Sequence, residues 1–218
     1  MRIGRRLGCF WLALTLTCAA LPAFPAPGSR ASALADLAHA EAPRRAEAVA
    51  WLAEHGRGED QPRLLARLRD DDPEVRALAE QALWMLWMRS GDAKLDRLME
   101  AGIEQMRAGR HPEAIATFTE IIRRKPGFAE GWNKRATAHY LAGNLKASLA
   151  DCDQVMKRNP QHFGALSGYG QIYFQLDDLA RAVEYWRRAL AVNPNMPGVE
   201  MNLKAAEALL AQKRQRSI

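Results

Sequence analysis

The 218-residue chain holds only three cysteines and five histidines, and both shortages narrow what it can do. Cys9 and Cys18 fall in an amino-terminal segment expected to be removed, which leaves Cys152 alone and excludes an internal disulfide. His39, His55, His111, His139 and His162 are scattered, with no pair at the i, i+4 spacing of a helical metal site. Gly164, Gly168 and Gly170 precede no Lys-Ser or Lys-Thr and do not form a phosphate loop. Asp70 to Asp72 lacks the spacing of a calcium loop, and Ser167 has no partnered His and acid. The expectation is therefore no catalytic centre, no metal and no cofactor.

A membrane-length apolar run is also missing. Leu7 to Leu21 is apolar for only about 15 residues, short of the roughly 20 that span a bilayer. Arg2, Arg5 and Arg6 precede that run, and Pro22 breaks it ahead of Ala23, Pro25 and Ala26. Residues 1–26 thus read as a cleavable secretory signal peptide, cut between Ala20 and Ala26, and the mature chain is expected in the periplasm. An uncleaved membrane anchor is the alternative. Thr15, Leu16 and Thr17 do not supply the small residue that lipidation of Cys18 wants just before it, and nothing after Arg5 and Arg6 continues a twin-arginine signal.

Strong charge of one sign is absent once that segment is set aside. Removing three of 31 basic residues lowers the net charge from +6 to +3 (28 − 25). The residual bias sits in Arg123, Arg124, Lys125, Lys157, Arg158, Arg187 and Arg188, near the ends of predicted helices, where cations complement the helix dipole. No basic stripe with interleaved aromatics appears, so nucleic acid is not an expected partner.

What the chain has is periodicity. Pro126, Pro160 and Pro194 stand 34 residues apart, and the same period carries Leu98, Trp132 and Leu166; Gly102, Ala136 and Gly170; Gly109, Gly143 and Asp177; Ala114, Ser148 and Ala182; and Phe118, Cys152 and Trp186. Ile121, Val155 and Ala189 form a further column. Each unit then holds a helix ending at a left-handed residue and a second helix stopped before proline. The spacing predicts helices over 95–108, 111–125, 129–142, 145–158, 163–176 and 179–192. A further amphipathic helix over 197–213, with Val199, Leu203, Ala206 and Leu210 on one face, would cap the last unit, and 214–218 would be a tail.

These columns resemble those of the tetratricopeptide repeat, with units at 95–128, 129–162 and 163–196. A weaker 31-residue period relates Leu34 and Leu37 to Leu65 and Leu68, and Arg45, Ala48 and Leu52 to Arg76, Ala79 and Leu83. Asp70-Asp71-Asp72-Pro73-Glu74-Val75-Arg76 resembles the turn of a HEAT repeat, so 32–90 reads as HEAT-like helical repeats behind a flexible leader, 27–31. Leu83, Trp84, Leu86 and Trp87 are expected to join the two repeat types, with Trp84 and Trp87 against the first helix of unit 95–128. Trp132 to Thr137, His162 to Gly168 and Ala82 to Gly91 are similar to motifs in a group of proteobacterial tetratricopeptide proteins, a likeness that covers 75–196.

The resemblance implies an all-α, right-handed superhelical solenoid of antiparallel helix pairs, whose first helices line a concave groove. Helical phase assigns to that groove Met99, Glu100, Ile103 and Met106; Asn133, Lys134, Thr137 and Tyr140; Ser167, Gly168, Gln171 and Phe174; and Met201 and Asn202, with Gly164 as part of a bare floor. Glycine inside a helix costs about 0.5–1 kcal/mol relative to alanine, which marks Gly164 and Gly168. A groove that clamps a terminal carboxylate is not expected, because Met99 and Ile103 stand where that clamp needs Lys and Asn. The expected role is an exported scaffold or adaptor holding an extended peptide or protein partner. The alternatives are a passive structural subunit of an envelope complex and a HEAT-like lyase or cofactor-handling enzyme. The sequence leaves the oligomeric state open.

Overall fold

The computed structural model describes residues 26–216 and contains no strand among them. The helices are α1 (Arg30–Asp36), α2 (Ala42–His55), α3 (Gln61–Arg67), α4 (Pro73–Met88), α5 (Ala93–Arg107), α6 (His111–Arg124), α7 (Ala129–Leu141), α8 (Leu145–Arg158), α9 (Phe163–Gln175), α10 (Leu179–Val192) and α11 (Pro197–Arg216). The expected signal segment lies outside the described residues except for Ala26. The leader differs from its expected form, because Ser29 caps α1 reciprocally with Ser32 and draws Arg30 and Ala31 into the helix. At the other end α11 continues through 214–216 instead of stopping at 213.

Local chemistry explains most boundaries. Proline lies in the first turn of α2, α3, α4 and α6, where its missing N–H is no loss. Asp72, Asp92 and Asp178 accept backbone N–H groups at the starts of α4, α5 and α10. Gly109, Gly143 and Asp177 end α5, α7 and α9 at φ of 72°, 77° and 60°, the left-handed region the 34-residue pattern requires.

Packing within each unit is a trade of volume between two columns. Gly102 admits Phe118, whose Cε1 would lie 2.5 Å from a Cβ at that position, and Gly170 admits the indole of Trp186 in the same way. In the middle unit the pair is Ala136 with Cys152: a slightly larger residue on the first helix and a much smaller one on the second. Met99, expected on the groove wall, instead lies buried with Phe118 and Ile121 in the first unit's core. Ile103 and Met106 pack partly against the same cluster, while Glu100 is exposed.

The 31-residue period in front also has a structural basis. Arg45 donates to the carbonyls of His39 and Ala40 at 3.0 and 2.9 Å, and Arg76 donates to those of Asp70 and Asp71 at 2.8 and 3.0 Å, six and five residues back in each case. Arg45 additionally reaches the Asp70 and Asp71 carboxylates and so ties the two units together. Burial alone would push the Asp70 carboxyl up; the Arg45 guanidinium and the Asp72 N–H reverse this and hold it down at about 2.

The α1–α4 module does not stack through Trp84 and Trp87 on α5, as the sequence suggests. It lies along the array's side, against the loops that join one repeat to the next. Lys125, Asn159 and Asn193 are 34 residues apart in those loops, and the module meets the edge at each. Lys125 donates to the Ser90 carbonyl, Gln61 donates to Asn159 Oδ1 at 3.0 Å, and Asn195, bonded to Asn193, donates to the Leu68 carbonyl at 2.7 Å. Phe163 of the third repeat belongs to the module's own hydrophobic core, together with Leu83, Leu86 and Trp87.

Candidate functional site

At the joint, His162 is fully buried. Its ring stacks on Trp87 with centroids 4.3 Å apart and meets Trp84 edge-on at 5.6 Å. Nδ1 accepts the Ala165 N–H and caps α9, which leaves Nε2 to donate to Glu130 Oε2 at 2.9 Å. Glu130 is equally buried and also receives Asn133 Nδ2 and Lys134 Nζ, both at 3.0 Å. Burial by itself would raise the Glu130 carboxyl, but the His162 hydrogen bond and the Lys134 ammonium outweigh it and hold it down at about 2. Sequence reasoning dismissed His162 because no second histidine stood near it. Its partner Glu130 stands 32 residues earlier, at the opposite end of the same repeat unit, a pairing that helical spacing does not announce.

This joint decides the fate of two expected groove residues. Lys134 is committed to Glu130 and lies over the Trp84 ring, 5.7 Å from its centroid. Gly164 is not a bare floor, because the Trp84 indole covers it. Its glycine serves close packing of the module.

Gly168 is different. A Cβ there would find one neighbour within 4 Å, the Cys152 sulfur, at 4.0 Å. Beside it opens a cavity of about 130 Å³ between α7, α8 and α9, lined by Asn133, Thr137, Tyr140, Gly168 and Gln171 at the polar side and by Ala136, Cys152 and Ile172 among its apolar walls. Gly164 borders the same space. A smaller cavity of about 60 Å³ continues between α9 and α11, lined by Gln171, Phe174, Trp186, Asn202 and Ala205, so Gln171 stands at both. Phe174 leans on Trp186 with centroids 5.6 Å apart. Ser167 and Met201 line neither cavity; Ser167 is half-buried and Met201 is 67% exposed.

The cavities' polar groups differ in how far they are already engaged. Thr137 Oγ1 donates to the Asn133 carbonyl and Ser148 Oγ to that of Ala136, at 3.0 and 2.8 Å. Asn133 has spent its amide nitrogen on Glu130. The Tyr140 hydroxyl and the Gln171 carboxamide make no hydrogen bond among the described residues. Trp186, 1% exposed, likewise has no acceptor for its Nε1. Among the described residues no three His, Cys, Asp or Glu side chains gather as metal ligands, and no helix is long and apolar enough to cross a membrane.

Paired helices on a 34-residue period, with left-handed turns inside each pair and cavities between successive first helices, define a helical-repeat solenoid. Family comparison is specific: residues 99–163 and 163–196 match models described as tetratricopeptide repeat, so this part of the chain is built of tetratricopeptide repeats. A TPR repeat-containing protein of Rhizobium etli is 32% identical over 126 residues, covering 58% of this chain and 62% of its own. Hsp70-Hsp90 organizing protein 1 of Glycine max is 26% identical over 135 residues, and the match spans 22% of its length. The chain thus spans less than two thirds of either relative. Among solved structures, the first TPR of Spaghetti (RPAP3) bound to the HSP90 peptide SRMEEVD superposes with a TM-score of 0.53 at 25% identity, over 55% of this chain and 96% of that one. The Sgt2 TPR domain from Aspergillus fumigatus shares the fold at a TM-score of 0.55 and 18% identity, over 57% and 83%.

Proposed function

We propose that this protein is an exported adaptor that holds an extended peptide segment of a partner protein across the first-helix face of its repeats. The observation that carries the reading is the pair of adjoining cavities with Gln171 between them, flanked by polar groups of Tyr140 and Gln171 that have no hydrogen bond within the chain. These half-buried groups are open to a ligand, and a peptide backbone supplies both donors and acceptors to meet them. The Spaghetti domain, a neighbour of similar fold, holds a peptide in its solved structure, which supports the class of ligand. Export rests on the basic start, the apolar run Leu7 to Leu21 and the small residues after it. No catalytic role is assigned.

The test is affinity capture from an envelope extract with wild type and Tyr140→Ala in parallel, together with amino-terminal mass spectrometry of the recovered chain. A partner that is lost with Tyr140→Ala, on a chain beginning between Leu21 and Pro27, supports the proposal. Retention of every partner by the variant overturns the binding face, and an intact Met1 overturns export.

A further inference from the structure

The larger cavity exists because two repeat columns reach a minimum of size at the same interface. In the second-helix column the residues are Phe118, Cys152 and Trp186, so only a thiol stands where the flanking repeats place a ring. In the first-helix column facing it across the repeat boundary they are Glu100, Lys134, Gly168 and Asn202, so the next repeat presents no side chain at all. The residue in the same first-helix column of the repeat after Phe118 is Lys134. Where Trp186 is the second-helix residue, the facing position holds Asn202, and the space shrinks to about 60 Å³. Cys152 facing Gly168 leaves about 130 Å³.

The lining decides what can enter. No charged side chain borders the cavity. Two cations of α7, the helix that contributes Asn133 and Ala136 to the lining, are committed elsewhere, Lys134 to Glu130 and Arg135 to Asp151 at 2.7 Å. An anion placed there would be desolvated without a counterion, and a cation likewise, which costs far more than an uncharged group. The walls offer Ala136, Cys152, Ala165 and Ile172, while Tyr140 and Gln171 keep polar groups beside the opening. An apolar cavity of roughly 150 Å³ accepts a benzene-sized guest, so this one suits a branched aliphatic or thioether side chain.

We infer that the chamber between Cys152 and Gly168 is a specificity pocket for one uncharged aliphatic side chain of the bound segment, of the size of leucine, isoleucine or methionine, and that it rejects acidic anchors. This rests on the peptide-binding reading above but concerns the chemistry of a single subsite.

Two experiments on the full chain separate that chemistry from the reading it rests on. In the first, amide shifts are followed by NMR during titration with isoamyl alcohol and, separately, with isovalerate at neutral pH, two probes that carry the same isobutyl group on an uncharged and an anionic head. The alcohol should shift the Gly168, Cys152 and Ile172 amides at least tenfold more readily than the carboxylate, and Gly168→Leu should abolish the effect while Gly168→Ala keeps the fold and part of the space. Equal response to both probes, or to neither, overturns the inference. In the second, a phage-displayed library of random 12-residue peptides is selected on the protein. Captured peptides should share one aliphatic position whose change to Ala weakens binding at least tenfold, as should Gly168→Leu. An acidic or carboxyl-terminal anchor that is lost with Tyr140→Ala overturns the pocket chemistry and leaves the binding face standing. Peptides indifferent to both Gly168→Leu and Tyr140→Ala, or no captured peptide at all, overturn the peptide-binding face, even if the alcohol titration succeeds.

Discussion

The Trp84 indole lies over the Cα of Gly164, in the space that any side chain at 164 would occupy. A Cβ there would collide with Cη2 and lie 3.2 Å from Cζ2. Gly164→Val should therefore cost roughly 1–3 kcal/mol as overpacking, although valine is the better helix former. In the Trp84→Ala background most of that cost should disappear, leaving the His162 Cε1 contact at 3.2 Å, and a double-mutant cycle from urea denaturation measures that coupling. An equal cost in both backgrounds would show that the glycine serves something other than the module's docking.

Acid should act on the same joint through Glu130. Its carboxyl sits at about 2 in the folded protein against an ordinary value of 4.5. A depressed folded value means that the stabilisation is fully present above about 4.5 and is lost as pH falls from there through 2, with a ceiling of about 3 kcal/mol. Glu130→Gln should flatten stability between pH 5 and 2. Asp70, also near 2 against an ordinary 3.8, acts with the same sign from about pH 3.8 downward, so Asp70→Asn should remove a separate share. Denaturation midpoints measured from pH 7 to 3 decide it, and an unchanged slope in Glu130→Gln would contradict the assignment.

Asp177 is the one non-glycine residue with positive φ among the described residues, at 60°, in the column where Gly109 and Gly143 stand. Left-handed geometry costs an L-residue about 1–2 kcal/mol, less for aspartate. Asp177→Gly should leave stability unchanged or raise it slightly, since the exposed contact with Lys213 contributes little. Asp177→Val should lower it by about 1–2 kcal/mol. Thermal melts of the two variants test the claim, and a more stable Asp177→Val would refute the turn geometry.

Cys152 offers a kinetic check on the chamber floor. Burial, reinforced by the charges of Asp151 and Asp153, pushes its thiol up to about 12. The thiolate is the reactive form. Alkylation by iodoacetamide at pH 8 should be at least 100-fold slower in the native protein than in urea, on the order expected when the thiolate is scarce. Comparable rates in the two states would mean that the sulfur is not enclosed as described.

The tetratricopeptide units were legible because their determinants are local and repeated. A proline every 34 residues stops each second helix, a glycine or aspartate turns each pair, and a small residue lets the paired helices touch; each acts within a few residues of its own position. Helical phase likewise placed Asn133, Thr137, Tyr140, Gly168 and Gln171 on one face, and these residues do line one cavity. Three things were left to the tertiary structure. Met99 could turn to the groove or the core by phase alone, and the volume left by Gly102 drew the first unit's core around Phe118, with Met99 inside it. The docking of α1–α4 depends on Trp84 and Trp87 finding His162, Phe163 and Gly164, residues about one third of the chain away whose pairing no period announces. The chamber itself is a difference of volumes: Cys152 and Gly168 are unremarkable singly, and only packing α8 against α9 places the two smallest members of their columns face to face.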